Sequence, residues 1–236
     1  MGVRRTLIIG TVVITLLTAT GCTAGADPSA TNPHPPTQEA AMTDATRDLL
    51  AAAAVGDETA ARSALEEGAD IEAHGSGGMT PLVAATKANH VATARVLIEA
   101  GADVNAKDDI QDSAYLYAGA RGHDEILRLT LEHGADLTST NRFGGTALIP
   151  AAERGLLSTI GILLDAGVDP NHVNDLNWTA LHEAIVLGDG SPTYVEVVRT
   201  LLDGGADASI PDGDGVLPVD LAAARGYDAI VAELRR

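Results

Sequence analysis

The side chains that could do chemistry are seven histidines, one cysteine and 33 acidic residues. His90 and His123 lie 33 residues apart, and His182 follows a Thr-Ala-Leu run, so their spacing indicates recurring structural positions. A metal site needs several ligands that converge at a fixed geometry. Asp124 and Glu125 directly follow His123, and neighbouring residues of a helix point to different faces. The sequence therefore predicts no metal site at these histidines.

Two glycine-rich segments are similar to ligand-binding or catalytic loops but lack the rest of each pattern. Residues 211–215 begin like a calcium loop, yet Ala223 stands where a bidentate glutamate is needed. Residues 75–78 surround Ser76 with glycine, yet no strand–turn–helix pattern frames that serine as a nucleophile. We therefore predict no catalytic residue, no metal and no cofactor. A hydrolase that uses scattered His and Asp is the least favoured hypothesis.

The lone cysteine lies in an N-terminal segment that is typical of an export signal. Residues 1–21 start with two arginines, continue with an apolar run at 7–17 and end in small residues. That run is shorter than the roughly 20 apolar residues that span a bilayer. Residues 19–22, Ala-Thr-Gly-Cys, resemble the lipobox of bacterial lipoproteins, although alanine stands where leucine is commonest. The resemblance implies acylation of Cys22 and an extracytoplasmic, membrane-anchored protein. A plain secreted protein and an uncleaved anchor stay open as alternatives.

Composition distinguishes the segment after the signal and excludes one class of partner. Residues 22–42 are rich in Pro, Ala and Thr without apolar periodicity, which predicts a flexible tether after the acylated cysteine. The formal charge of −18 argues against nucleic acid as a partner, because phosphates are bound by Lys and Arg. Aromatic residues make up only 3% of the chain, which favours a thin helical assembly packed with alanine over a thick core.

From residue 43 onward the chain repeats a small unit. One marker, Gly-Ala-Asp or Gly-Val-Asp, recurs with steps of 33, 33, 33 and 38 residues. It begins at Gly68, Gly101, Gly134, Gly167 and Gly205. A second marker keeps the same steps and begins at Thr80, Ser113, Thr146, Thr179 and Leu217. Two markers that share one period and one five-residue insertion predict repeated copies of one structural unit.

Each unit has the pattern of two short helices. The Thr or Ser of the second marker suits a helix N-cap, and Pro81 suits the first helical position. A residue that tolerates left-handed backbone comes about nine residues later, where it can end the first helix. These residues are Asn89, Gly122, Gly155, Gly188 and Gly226. Apolar residues at helical spacing then predict a second helix with one buried stripe. Pro150 falls inside a first helix, where we expect it to disturb one turn.

This pattern resembles the ankyrin repeat, whose signature includes a Thr-Pro-Leu-His-x-Ala run. Residues 179–184 are the most similar copy, and residues 80–82 come next. The resemblance implies an all-α ankyrin-repeat solenoid, in which about five to six helix–turn–helix units are linked by short hairpins. The predicted units are 43–75, 76–108, 109–141, 142–174, 175–212 and 213–236, of which the first lacks a recognisable hairpin and cap motif. Similarity to exported bacterial ankyrin-repeat lipoproteins implies a non-catalytic, protein-binding scaffold at the cell envelope.

If the family's layout holds, hairpin tips and the ends of first helices face one concave side. Positions one or three residues before the cap carry large apolar side chains that have no core to fill, unless they pack on a neighbouring tip. Tryptophan in particular is favoured at binding hot spots. These are Met79, Ile110, Phe143, Leu176 and Trp178. The first helices end in Arg121, Arg154 and Arg225, which suit a partner's carboxylates or simply the helix C-terminus. We predict a protein partner here; a small ligand or envelope glycan stacked on Trp178 and Phe143 is the alternative.

Overall fold

A computed structural model describes residues 42–236, which are helical and contain no β-strand. The predicted export signal, Cys22 and the rest of the tether lie outside these residues. The described chain forms six helix pairs. The first helices of the pairs are α1 (Asp44–Val55), α3 (Pro81–Lys87), α5 (Ala114–Arg121), α7 (Leu148–Glu153), α9 (Ala180–Val186) and α11 (Pro218–Ala224). The second helices are α2 (Glu58–Glu66), α4 (Val91–Glu99), α6 (Asp124–Glu132), α8 (Leu157–Asp165), α10 (Pro192–Asp203) and α12 (Asp228–Leu234). The predicted all-α repeat fold is confirmed.

The helix pairs stack side by side in two layers. Each first helix packs against the next first helix, and each second helix packs against the next second helix. Leu82, Tyr115, Leu148 and Leu181 occupy one equivalent position of successive repeats, and each is at most 1% exposed. Because every repeat buries its apolar face against a neighbour, the core is a continuous seam along the stack.

Hydroxyl caps determine where several first helices begin. The N–H of Val83 donates to Thr80 Oγ1 at 3.3 Å, and the N–H of Leu116 donates to Ser113 Oγ at 3.2 Å. The first unit has the same device, since Thr43 Oγ1 accepts from a backbone N–H at the start of α1. The sequence pattern did not reveal this cap because no hairpin marker precedes it.

The start of α7 is the turn where Pro150 is expected to cause a disturbance. This helix has six residues and begins at Leu148. The N–H of Ile149 bonds to the backbone carbonyl of Thr146 at 3.3 Å, while the buried Thr146 hydroxyl has no hydrogen-bond partner among the described residues. Thr146 therefore lacks the capping bond that Thr80 makes at the start of α3.

The five-residue insertion lies between α9 and α10 and is held by two tyrosines. The hydroxyl of Tyr194 donates to the carbonyl of Glu153 at 2.6 Å, and that of Tyr227 donates to the carbonyl of Gly188 at 3.2 Å. The prediction that Gly188 takes left-handed backbone is wrong, because the insertion moves that conformation to Gly190, at φ +71°. Gly188 is needed for space instead, since a Cβ there would lie 2.4 Å from the Tyr194 ring.

Asparagine side chains link neighbouring repeats on the outer edge of the hairpins. Asn105 donates to the carbonyl of Gly134 at 3.0 Å and accepts from the N–H of Asp136 at 2.8 Å. Asn171 makes the same pair of bonds to the following repeat. Thr138 occupies the equivalent position between them, and its hydroxyl bonds to Asp136 in its own hairpin. We call this series of bonds between repeats the asparagine ladder. It is interrupted between the third and fourth repeats, where Thr138 replaces asparagine.

No helix in the described part of the chain has both the length and the hydropathy to cross a lipid bilayer.

Candidate binding groove

One Asp or Asn side chain closes each of four hairpins, five residues before the Thr, Ser or Leu of the second sequence marker. Asn141 Oδ1 accepts the N–H of Phe143 at 2.8 Å and that of Gly145 at 3.2 Å. Asn174 Oδ1 accepts the N–H of Leu176 at 2.9 Å and a second N–H two residues later at 3.0 Å. The same arrangement occurs at Asp108 and Asp212. These side chains were not singled out from the sequence, although their recurrence at one distance before the cap was the available signal.

Neighbouring hairpins are joined through their backbones. The N–H of Asp175 donates to the carbonyl of Phe143 at 3.0 Å, and the N–H of Asp109 donates to the carbonyl of Gly77 at 3.0 Å. The hairpins of Ile110, Phe143 and Leu176 are thus each closed by a side chain and joined to one neighbouring hairpin, which holds these tips in place.

The structure separates the two sets of tip residues predicted from the sequence. Ile110, Phe143 and Leu176, three residues before the cap, are 49%, 57% and 58% exposed. Met79 and Trp178, one residue before the cap, are half-buried. Trp178 lies at the base of its hairpin, where its carbonyl accepts the N–H that closes the loop. The tip apex is therefore the position three residues before the cap.

A groove of about 290 Å³ runs along the inner side of the third, fourth and fifth repeats. Four of the predicted partner-binding residues line it, namely Arg121, Phe143, Arg154 and Leu176. Four others do not, namely Met79, Ile110, Trp178 and Arg225. Several further lining residues were not predicted from the sequence, chief among them Tyr117, Arg142, Pro150, Glu153, Asn174, Glu183 and Leu187.

Three arginines lie in the groove and have different surroundings. The guanidinium of Arg121 lies 5.5 Å from the centre of the Tyr117 ring and forms no ion pair with residues 42–236. Arg142 lies over the Phe143 ring at 4.6 Å, a cation–π contact that stiffens an exposed aromatic side chain. Arg154 pairs with the adjacent carboxylate of Glu153 at 3.5 Å. The groove thus combines apolar tips with fixed positive charges.

A buried carboxylate also reaches this groove. Glu183, in the first turn of α9, is only 6% exposed and accepts a hydrogen bond from Asn174 Nδ2 at 2.9 Å. Burial, followed by the nearby charge of Glu153, raises the pKa of Glu183, and Asn174 and Arg154 oppose that rise. One sequence signal could have identified Glu183. It is the charged residue at a position where the earlier repeats, in steps of 33 residues, have Ala84, Tyr117 and Pro150.

This chain matches a protein family and several solved structures. The model of the family described as Ankyrin repeats (3 copies) matches residues 16–108, 115–212 and 148–235. The chain belongs to the ankyrin repeat family. An ankyrin repeat domain from Acinetobacter baumannii AYE shares 54% sequence identity at a TM-score of 0.78, over 79% of this chain and 95% of that one. Another ankyrin repeat protein of known structure shares 40% identity at a TM-score of 0.78, over 81% of this chain and 98% of that one.

No curated protein matches this chain. Ankyrin repeats are generally protein–protein interaction scaffolds and are typically non-catalytic. Stacked repeat units present an extended binding surface. In this chain, hairpin tips and first helices line the groove.

Five of the six histidines in residues 42–236 make hydrogen bonds, namely His74, His123, His133, His172 and His182. His182 is fully buried and its Nδ1 accepts the N–H of Thr179 at 3.1 Å. Burial lowers the pKa of His182, and the charge of Asp212 opposes this only in part. His123 Nδ1 bonds to the carbonyl of Thr86 at 3.0 Å, and burial lowers its pKa as well. Within residues 42–236, no three His, Cys, Asp or Glu side chains are arranged to hold a metal ion.

Proposed function

We propose that this chain is a non-catalytic scaffold that binds a partner protein in the groove formed by the hairpin tips and first helices of the third to fifth repeats. The observation that carries the proposal is the pair of exposed apolar tips, Phe143 and Leu176, at the edge of a groove in an ankyrin repeat domain. Large apolar side chains that no core needs are favoured where a partner covers them.

The rigidity of the tips supports the same function. Asn141 and Asn174 hold the backbone on both sides of each apex, and Arg142 packs over the aromatic ring of Phe143. Little conformational entropy is then lost when a partner binds, so more of the contact energy is available as affinity.

We further propose that the domain is exported and anchored by lipid at Cys22 on the extracytoplasmic side of a bacterial membrane. The order of basic, apolar and small residues in 1–21 and the resemblance of 19–22 to a lipobox support this. Two or more acyl chains are needed for stable anchoring, because one chain binds only marginally. Radiolabelled palmitate should mark the wild type and not Cys22→Ser, and the variant should leave the membrane fraction. An unlabelled or soluble wild type would refute the anchor.

A capture experiment tests the binding groove. Phe143→Ala with Leu176→Ala should weaken capture of the native partner from cell envelope by about tenfold or more, since each apex side chain is a candidate hot spot. The matched control is Val55→Ala on α1, an apolar side chain that is 73% exposed and lies outside the groove. The melting temperature should stay nearly unchanged in both. A photoreactive residue at position 143 should crosslink the same partner.

Unaltered capture by the double variant, or equal losses in the double variant and the control, would remove the groove from the function. No observation favours the alternative of a small ligand or envelope glycan that stacks on both Trp178 and Phe143, because only Phe143 lines the groove.

A further inference from the structure

The carboxylate of Glu183 has no ion-pair partner among residues 42–236. This side chain is more than nine-tenths buried and lines the groove. One oxygen, Oε1, accepts the single hydrogen bond from Asn174. A desolvated carboxylate without a cation is unfavourable, so a positive group that entered here would be bound well.

The nearest cation is already in use. Arg154 pairs with Glu153 at 3.5 Å and also donates to the carbonyl of Pro150 at 3.2 Å. Two carboxylates, Glu153 and Glu183, therefore face one guanidinium, and their mutual repulsion contributes to the raised pKa of Glu183. Arg154 is the cation whose charge acts on Glu183, and it is shared with Glu153.

Of the other cations, Arg121 lines the groove without an ion pair among residues 42–236, and its guanidinium lies against the Tyr117 ring. Lys87 pairs with Asp108 and Asp112, and Arg142 lies 3.9 Å from Asp112. Lys87 and Arg142 therefore have acidic partners of their own in the hairpin of residues 108–112.

Exposed apolar side chains line the same groove as Glu183. Phe143, Leu176 and Leu187 all line the groove and are 57%, 58% and 53% exposed. A lysine side chain matches this arrangement, because its methylene stem packs on apolar surface while its ammonium group seeks an anion. Arginine matches less well, since a bidentate guanidinium would have to share Oε1 of Glu183 with the amide of Asn174.

We propose that the groove receives a segment of the partner that carries a lysine between apolar residues, with the lysine ammonium bound to Glu183 and the apolar residues packed on Phe143, Leu176 and Leu187. This inference rests on the proposed function, because it names the chemistry of the same partner's contact segment.

Matched peptides test the proposal. Three acetylated and amidated heptapeptides carry leucine on both sides of the central residue, which is lysine, norleucine or glutamate. The lysine peptide should bind wild-type protein about tenfold more tightly than the norleucine peptide, as expected for a charge-assisted hydrogen bond. Glu183→Gln should abolish that difference and leave the norleucine affinity unchanged within about twofold.

A second measurement does not depend on the folding of the variant. In NMR spectra of wild-type protein, the lysine peptide should shift the side-chain amide signals of Asn174, and the norleucine peptide should leave them in place. Equal affinity of the lysine and norleucine peptides, tighter binding of the glutamate peptide, or no binding of any peptide would overturn the inference. If capture of the native partner still depends on Phe143 and Leu176 in that case, the proposed function stands without it.

Discussion

Asp108 shows how one side chain can serve a turn and an ion pair at once. Its Oδ1 accepts the N–H groups of Ile110 and Asp112 at 3.0 and 2.9 Å, and its Oδ2 pairs with Lys87. Burial alone would lower the pKa of Lys87, but hydrogen bonds to Asp108 and Asp112 raise it more. The net pKa is raised, so this pair persists throughout the physiological pH range.

Asp108→Ala should therefore destabilise the domain by about 3 kcal/mol, because it removes the turn closure and leaves a partly buried ammonium with a weaker partner. The control is Asp214→Ala, at an exposed apex, where we expect a change below about 0.5 kcal/mol. Urea unfolding followed by circular dichroism measures both. Equal midpoints for the two variants would contradict the double role of Asp108.

Glu183 predicts a pH dependence of stability. Its pKa in the folded state is raised above 4.5, so the folded state keeps the proton to a higher pH than the unfolded state. Stability from this group is therefore greatest in acid and is lost as the pH rises from the unfolded value through the folded one.

Glu183→Gln should remove this loss, since glutamine can still accept from Asn174 and carries no charge. At pH 7 we expect the variant to be as stable as wild type or up to about 1 kcal/mol more stable, with a smaller advantage at pH 4. Urea titrations at both pH values give the comparison. A variant that is clearly less stable at pH 7 would show that the ionised carboxylate is satisfied within the domain.

At the scale of the elements, the asparagine ladder has a gap that one substitution should fill. Thr138→Asn should form the two bonds to the next repeat that Asn105 and Asn171 form, and so stabilise the domain by about 1 kcal/mol. The reverse change, Asn105→Thr, should destabilise it by a similar amount. Thermal unfolding would show opposite shifts, and shifts of the same sign would refute the equivalence of the two positions.

The sequence predicts the elements better than the details of the turns. Hydroxyl caps and recurring Gly-Ala-Asp triplets are local signals, so the helix pairs follow from them directly. Gly188 was assigned wrongly because an insertion changes which glycine must reverse the chain. Trp178 was grouped with the apex residues because spacing counts positions along a hairpin, whereas the side-chain oxygen of Asn174 decides which residue lies at its base.

The groove was predictable only in part for a related reason. Arg121, Arg154, Phe143 and Leu176 stand out by type and recurrence, and they line it together. Glu183 belongs to the Thr-Ala-Leu-His-Glu-Ala run, where its burial depends on the packing of neighbouring repeats rather than on its own sequence. The sequence of a single repeat does not show which of its residues the neighbouring repeats will cover, so the burial of Glu183 could not be predicted from it.

At the scale of the whole molecule, stability should depend on the length of the stack. Removal of residues 213–236 would expose apolar surface of α9 and α10 that α11 and α12 now cover. We expect the shortened protein to keep its helical spectrum but to unfold at a lower urea concentration with a smaller m-value, since less surface is buried. An unchanged midpoint would mean that the last helix pair contributes nothing to the cooperative unit.

The Asp and Asn closures of the hairpins have a consequence for how such a domain can change over evolutionary time. Since the closing bonds run to backbone N–H groups, the side chains at positions 110, 143 and 176 take no part in shaping their own turns. Mutation can therefore replace these three side chains with little penalty to folding. One inherited framework could in this way be retargeted, one apex at a time, toward a succession of different partners.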